Sequence, residues 1–513
     1  MESESNSFEL GLSHQKAGRH VEAIGVYREL LRREAGNGDV WSNLGVALKM
    51  IGDLDGAIEA FVRAVELRPG RGDVFAFLGH ALRDAGRLEE AITAYRRGVE
   101  LSGDVRVADS LLVALHAHPG YGRAELYGEH EAWARRFVEP VAGKCYQHSN
   151  ECAKHERLKV GYVAADLGNH PLGRFLLPVV ENHDRQRFEI YCYNDHARED
   201  YVSARLRAAV EHWRTCGGMS HEQLAEAIYR DGIDILVDLT MHGPGSRLLT
   251  FARKPAPVQA TYLAYASTTG VRAIDYRLTD AYLDPVGVDE SLYFEPSVRL
   301  PRSWWCYPEP AEAGEVAPLP ADEHGCVTFG CLNSFSKTNP QMMGLWAEVM
   351  RNSPGSRLIL HAQEGGHRER VKELFAGCGV EAERVEFVGF LPVEKYFEMY
   401  GQIDVALDTY PWAGGATTCD ALWMGVPAVS LAGETAVSRG GYSILSNIGL
   451  EELVGHRPDE FVRVAAGLSV EKLRELRGGL RDRMRRSKLM DGRAFAQGLE
   501  GAYRSMWERA KWR

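Results

Sequence analysis

Small and apolar positions in the first hundred residues recur on a strict step. Ala23, Ala57 and Ala91 are evenly spaced, as are Gly11, Gly45 and Gly79, and Gly18, Gly52 and Gly86. The aromatics Tyr27, Phe61 and Tyr95 keep the same step, and Gly38-Asp39-Val40-Trp41 returns as Gly72-Asp73-Val74-Phe75. A period of about 34 residues with small residues at these offsets predicts three helix pairs of the tetratricopeptide type. Glycine and alanine let two helices approach closely, and an aromatic fills the gap between neighbouring pairs. Residues 105–140 stay helical in pattern, with Leu111, Leu112 and Leu115 and then Trp133 and Phe137 at helical spacing. They are expected to cap the stack and join it to the rest of the chain.

The pattern changes after Arg157. Short β-rich runs alternate with helical stretches, first at 158–163, 188–193 and 233–239, then at 327–332, 357–361, 385–387, 405–407 and 428–431. Such alternation predicts parallel sheets wrapped by helices. Residues 308–320 (PEPAEAGEVAPLP) read as a linker that splits this region into halves of comparable size. The expected fold is an α-helical repeat solenoid followed by two doubly wound α/β domains. The expected boundaries are 1–103 for the repeats, 104–156 for a helical cap and linker, 157–320 for the first α/β lobe and 321–513 for the second. The last helix is expected to return to the first lobe.

Composition narrows the choice of partner. Sixty Lys and Arg stand against 71 Asp and Glu, for a net charge of −11. That balance argues against a general polyanion binder, although it allows a local basic pocket. No apolar run reaches the length of a membrane span, and the opening Met1-Glu2-Ser3-Glu4-Ser5 is unlike a secretory signal. Nine scattered cysteines do not resemble a disulfide framework, so a cytoplasmic chain with reduced thiols is expected.

The candidate chemistry lies at strand ends. The first β run leads into Ala165-Asp166-Leu167-Gly168-Asn169-His170-Pro171. A neutral His170 there could take a proton from a hydroxyl or hydrogen-bond a phosphate, or simply cap the next helix. His242, in Leu239-Thr240-Met241-His242-Gly243, follows the third run in the same way. Lys337, just past the run 327–332, could balance charge on a phosphate leaving group, or be a solvated surface lysine. Gly414-Gly415-Ala416-Thr417-Thr418-Cys419-Asp420 is a glycine-rich turn that feeds a helix. Free amides, the dipole and the hydroxyls of Thr417 and Thr418 would suit an anion, or the turn is a plain cap. Together with Lys337, Gly415 and the two threonines suggest a diphosphate site. No resident metal is expected: the Asp-x-Asp at Asp53-Leu54-Asp55 falls in a repeat turn. The cluster Cys145-x2-His148-x3-Cys152-x2-His155 has a spacing too short for the usual zinc finger.

Several segments closely resemble the protein O-GlcNAc transferase and Spindly superfamily. They are 157–171 (RLKVGYVAADLGNHP), 254–259 (KPAPVQ), 275–280 (DYRLTD), 414–425 (GGATTCDALWMG), 433–439 (GETAVSR) and 489–507 (LMDGRAFAQGLEGAYRSMW). The resemblance implies a two-lobed GT-B glycosyltransferase that inverts and needs no metal or other cofactor. Its donor would be a nucleotide diphosphate sugar, most simply UDP-GlcNAc, and its acceptor Ser or Thr of a protein chosen partly by the repeats. Carried over by motif, His170 is the family's active-site histidine and Lys337 contacts the diphosphate. Thr417 and Thr418 bind phosphate, Asp420 holds the ribose, Tyr396 stacks on the base, and His242 matches a glycine-histidine turn. Departures cluster around sugar and base: Ser334 replaces a glutamine, Ala416 a histidine, and Ala264-Tyr265-Ala266-Ser267-Thr268 a G-Y-P-G-T motif. Rival readings are GDP-fucose or UDP-glucose as donor, or a silent repeat scaffold that binds nucleotide.

Overall fold

The computed structural model describes residues 2–142, 146–148, 157–196 and 199–510. These fall into two compact units, residues 1–118 with 331–391, and residues 119–330 with 392–513.

The first unit opens with three antiparallel helix pairs: Glu2–Lys16 with His20–Arg33, Gly38–Met50 with Leu54–Leu67, and Gly72–Asp84 with Leu88–Ser102. A single helix, Val105–His116, comes after them. The repeat spacing has a direct steric cause. A Cβ at Gly45 would lie 2.7 Å from the ring of Phe61, one at Gly79 2.6 Å from that of Tyr95, and Gly11 stands against Tyr27 in the same way. Each glycine lets the aromatic of its own pair lie flat on the helix backbone. Ala23, Ala57 and Ala91 are fully buried at the crossings. The turns use Gly18, Gly52 and Gly86 at φ 75°, 87° and 72°, a left-handed conformation that disfavours any side chain. The unit also holds helices Pro340–Arg351 and Gly366–Gly377.

The second unit contains a seven-stranded parallel sheet made of β1 (Leu158–Ala164), β2 (Phe188–Asn194), β3 (His212–Thr215), β4 (Ile235–Asp238), β5 (Val258–Thr261), β6 (Tyr276–Thr279) and β7 (Ser297–Arg299). Their order is β3-β2-β1-β4-β5-β6-β7, with the reversal between β1 and β4 that marks a doubly wound sheet. Val160 pairs with Ile190 on one side and Ile235 on the other, and all three are fully buried. A strand covered on both faces should read as a nearly continuous apolar run, as β1 does.

The second α/β domain contributes β8 (Thr328–Cys331), β9 (Arg357–His361), β10 (Val385–Val388), β11 (Val405–Leu407), β12 (Ala428–Leu431) and β13 (Val454–Gly455). In the first unit, β9 and β10 pair in parallel. In the second, β11 lies between β8 and β12, and β13 pairs with β12. The linker 308–320 is tied down, because the buried guanidinium of Arg477 donates to the carbonyls of Ala317, Ile403 and Tyr400.

The final helix, Gly492–Ala510, packs on the first sheet's domain. Tyr503 donates to the Tyr162 hydroxyl of β1 at 3.2 Å, and Glu500 meets the His183 ring at 2.9 Å. No helix among the described residues is long and apolar enough to cross a membrane. The described cysteines form no disulfide.

Candidate active site

The loop after β1 is fixed before any ligand enters it. Gly168 donates its N–H to Asp166 at 2.8 Å, and Asn169 donates to Asp200 at 2.7 Å. Gly173, one turn into the next helix, sits so close to the Gly168 carbonyl that a Cβ would overlap it. His170 is the N-cap of that helix, Pro171–Glu181, and Pro171 supplies the preset φ of a first helical residue. The Leu172 N–H donates to His170 Nδ1 at 3.3 Å. An acceptor Nδ1 places the proton of a neutral ring on Nε2, so His170 presents a donor to the exposed side of the loop. The surrounding protein lowers its pKa from the usual value, while Asp166 pulls the other way. Neutral imidazole is the form expected at pH 7.

One helical turn on from His170, Arg174 reaches Asp420 at 3.2 Å. Asp420 lies on the helix Ala416–Trp423, at whose start the glycine-rich turn ends. Its buried carboxylate also accepts from Tyr307 at 2.5 Å and from Tyr396 at 3.1 Å. Burial raises the Asp420 pKa, and Arg174 and the two phenols hold it down. The Tyr396 and Tyr400 hydroxyl oxygens lie 2.8 Å apart, and Tyr400 donates to the Thr417 carbonyl at 3.1 Å. A chain of bonds therefore joins the His170 helix to the helix that carries Thr417, Thr418 and Asp420. Thr418 is buried and Thr417 half-buried.

The turn itself hangs on Asp408, at the end of β11. Asp408 accepts from the Gly414 N–H at 2.7 Å, the Thr409 N–H at 2.8 Å and the Ser430 hydroxyl at 2.7 Å. Gly415 is bare because the Trp305 indole covers it, where a Cβ would meet the ring at 2.9 Å. Nearby, Tyr265 and Met241 pack with Val437 against Ala264 and Trp412. Met241 (φ 48°) and Leu263 (φ 80°) both hold left-handed backbone just past the ends of β4 and β5. Strain of this kind, of order 1–3 kcal/mol for each residue, gathers at functional loops.

Asp238, the last residue of β4, fixes one of these turns. It accepts from the Thr240 and Met241 amides and from the Thr261 hydroxyl. Burial pushes its carboxyl up to about 6 even so. The folded chain thus holds this proton more tightly than the unfolded one. Its stabilising effect is full below about pH 4 and lost as pH rises through 6, a change of about 3 kcal/mol. Asp238→Asn should therefore gain stability relative to the parent as pH rises from 4 to 7, read by urea denaturation at each pH. A constant difference across that range would exclude this account of Asp238.

His242 is placed differently from His170. Its ring is buried, donates through Nε2 to the Thr269 carbonyl at 3.0 Å, and packs edge-on to Trp133 at 4.5 Å and His130 at 5.1 Å. Burial pushes its pKa down to about 3. Lys337 ends the short turn Phe335–Lys337, which comes after β8 and lies in the first unit. Cys145, Cys152 and His155 lie outside the described residues, and His148 Nε2 bonds the Lys254 carbonyl at 3.0 Å. Among the described residues no group of three or more His, Cys, Asp or Glu could hold a metal. A cavity of about 960 Å³, lined by residues including Tyr146, Glu222, Glu226, Arg230 and Arg253, includes none of the candidate residues. The sequence pattern does not mark Arg174, Tyr307, Asp408 or Trp305 as site residues. Of the four, Arg174 alone carries a signal, as a cation four residues after His170 on one helix face.

Residues 110–306 and 318–499 match the family described as Glycosyl transferase family 41, and residues 8–73 and 51–106 match the Tetratricopeptide repeat family. The chain is 36% identical over 395 residues to a Solanum lycopersicum protein named probable UDP-N-acetylglucosamine–peptide N-acetylglucosaminyltransferase SPINDLY, covering 75% of this chain and 42% of that one. It is 24% identical over 481 residues to the Caenorhabditis elegans UDP-N-acetylglucosamine–peptide N-acetylglucosaminyltransferase, covering 69% and 41%. It thus spans about two fifths of the length of these relatives. A solved structure of a lysine-to-methionine mutant of Thermobaculum terrenum O-GlcNAc transferase superposes with a TM-score of 0.91 at 36% identity, covering 99% of this chain and 98% of that one.

Proposed function

The chain belongs to glycosyltransferase family 41, and from that premise we propose that it transfers N-acetylglucosamine from UDP-N-acetylglucosamine to serine or threonine of proteins. The reading includes inversion at the anomeric carbon and no requirement for a metal. The observation that carries it is the bonded link between the helix capped by His170 and the helix Ala416–Trp423, through Arg174 and Asp420. A glycine-rich turn held by Asp408 leads into a helix N-terminus, which would suit an anion such as a diphosphate.

In this reading the acceptor hydroxyl oxygen forms a bond to the anomeric carbon while the bond from that carbon to the diphosphate breaks. Thr417, Thr418 and the helix dipole hold the phosphates, and the Lys337 ammonium takes up the charge of the leaving group. His170, with Nδ1 already accepting a backbone N–H, orients an oxygen through Nε2–H. The hydroxyl proton passes to an oxygen of the departing diphosphate, which gains charge as its bond to the sugar breaks. Asp420 reaches the ribose only with the lone pairs that Arg174, Tyr307 and Tyr396 leave over, and Tyr396 offers its ring to the base. His242 braces the Thr269 segment. The repeats add surface for protein acceptors beyond the few residues a cleft can read.

The test is transfer from UDP-N-acetylglucosamine to a protein acceptor in excess EDTA, followed by mass spectrometry. Full activity is expected, because protein cations and amides supply the charge stabilisation. Loss of activity that Mg²⁺ or Mn²⁺ restores would overturn this phosphate site.

A further inference from the structure

The turn glycines of the three repeats are alike in backbone and unlike in surroundings. Gly18, Gly52 and Gly86 share a left-handed φ, and a Cβ at Gly18 or Gly52 would meet open space. A Cβ at Gly86 would lie 2.7 Å from Cε1 of Phe335. Phe335 is buried and begins the single turn Phe335–Lys337 that ends on the lysine. Two bonds within that segment transmit its placement: Lys337 donates its N–H to the Ser334 carbonyl at 2.9 Å, and the Thr338 hydroxyl donates to the Phe335 carbonyl at 2.6 Å.

The Phe335 ring has a second neighbour. His367 packs on it with centroids 5.0 Å apart. His367 sits at the start of the helix Gly366–Gly377, and the repeats hold that helix in turn. The Gly366 N–H donates to Asp55 of the second repeat at 2.5 Å, and Arg370 donates to the Ala85 carbonyl of the third at 3.3 Å. Repeat turns therefore seat both the ring and its neighbour.

We propose that the Gly86 turn of the third repeat positions Lys337 for the chemical step by seating Phe335, so that the repeats serve turnover as well as acceptor choice. The inference rests on the reading of Lys337 as the group that balances the leaving diphosphate. Gly86 touches no substrate; it acts through Phe335 and is a positioning residue. A displacement of the ammonium by about an ångström is enough to lower turnover by up to about 100-fold.

The experiment uses the full chain, UDP-N-acetylglucosamine and a saturating peptide acceptor. Gly86→Ala should lower kcat by about 10-fold or more without a matching rise in donor KM. Gly52→Ala carries the same backbone strain with no ring to meet, and should keep the parent's kcat at a similar Tm. Phe335→Leu, which withdraws the ring edge, should restore much of the loss when combined with Gly86→Ala. In a Lys337→Met background, Gly86→Ala should cost little further, because the group it positions is gone. Equal kcat in the two glycine variants beside a crippled Lys337→Met protein would overturn this inference alone. A Lys337→Met protein with parental turnover would overturn the lysine reading and this inference with it.

Discussion

Lys337→Met should lower the turnover of sugar transfer by about 10²–10³-fold, the effect of removing one preorganised electrostatic stabiliser. Methionine keeps most of the length and apolar stem of the lysine and removes only the ammonium. Lys337 is the last residue of a turn held by its own backbone bond to Ser334 and by the seating of Phe335, so the fold should tolerate the change. The loss should fall on kcat, because negative charge on the leaving diphosphate grows as the bond to the sugar breaks. Circular dichroism should match the parent. A folded variant with near-parental turnover would remove the lysine from the mechanism.

The second large effect concerns stability. Asp420→Ala should lower it by about 3–5 kcal/mol, the cost of removing one partner from a buried ion pair. The carboxylate takes Arg174 on one oxygen together with Tyr307, and Tyr396 on the other. Its loss leaves the guanidinium and two phenols without their acceptor, and cuts the link from the His170 helix to the helix Ala416–Trp423. A drop in apparent Tm of roughly 5 °C is expected by differential scanning fluorimetry. Asp420→Asn keeps one acceptor oxygen and should lose less. A parental Tm in Asp420→Ala would show that this cluster does not hold the two helices together.

The legible parts of the fold are those where one physical demand dominates a residue. The repeat glycines and aromatics are readable because each glycine must lie bare under its own aromatic, as Gly45 lies under Phe61. Strands such as β1 and β12 are readable because both faces are apolar. Five strands leave no such mark in the pattern: β3, β5, β6, β7 and β13. β5 carries a buried Gln259 bonded to the carbonyls of Phe251 and Ala273, and β6 a buried Arg277 paired with Asp284 at 2.9 Å. Polar residues bonded inside a sheet look like loop residues in a hydropathy pattern. β3 is exposed in part, and β13 is two residues long.

Among candidate site residues, His170 and the threonine turn are visible because a histidine or glycine at a strand end has few structural reasons to be there. His242 carries the same signal, yet its ring is buried against Trp133, because loops at one edge of a sheet face inward as well as out. The groups that tie the candidate site together, Asp408 and Arg174, are ordinary charged residues whose partners are not marked by the sequence pattern. The repeats read as a separate module, whereas residues 1–118 cluster with 331–391 in one compact unit. Close packing between segments distant in sequence leaves no periodic trace.

The most direct test of the donor and the reaction together is intact-mass spectrometry of a protein acceptor incubated with the enzyme and one donor at a time. UDP-N-acetylglucosamine, GDP-fucose and UDP-glucose are each supplied in turn. The account predicts a gain of one or more N-acetylhexosamine units with UDP-N-acetylglucosamine, removed by Ser and Thr substitution in the acceptor, and far less product with the other two. Transfer from GDP-fucose or UDP-glucose alone, or no transfer from any donor by a folded chain, would contradict it.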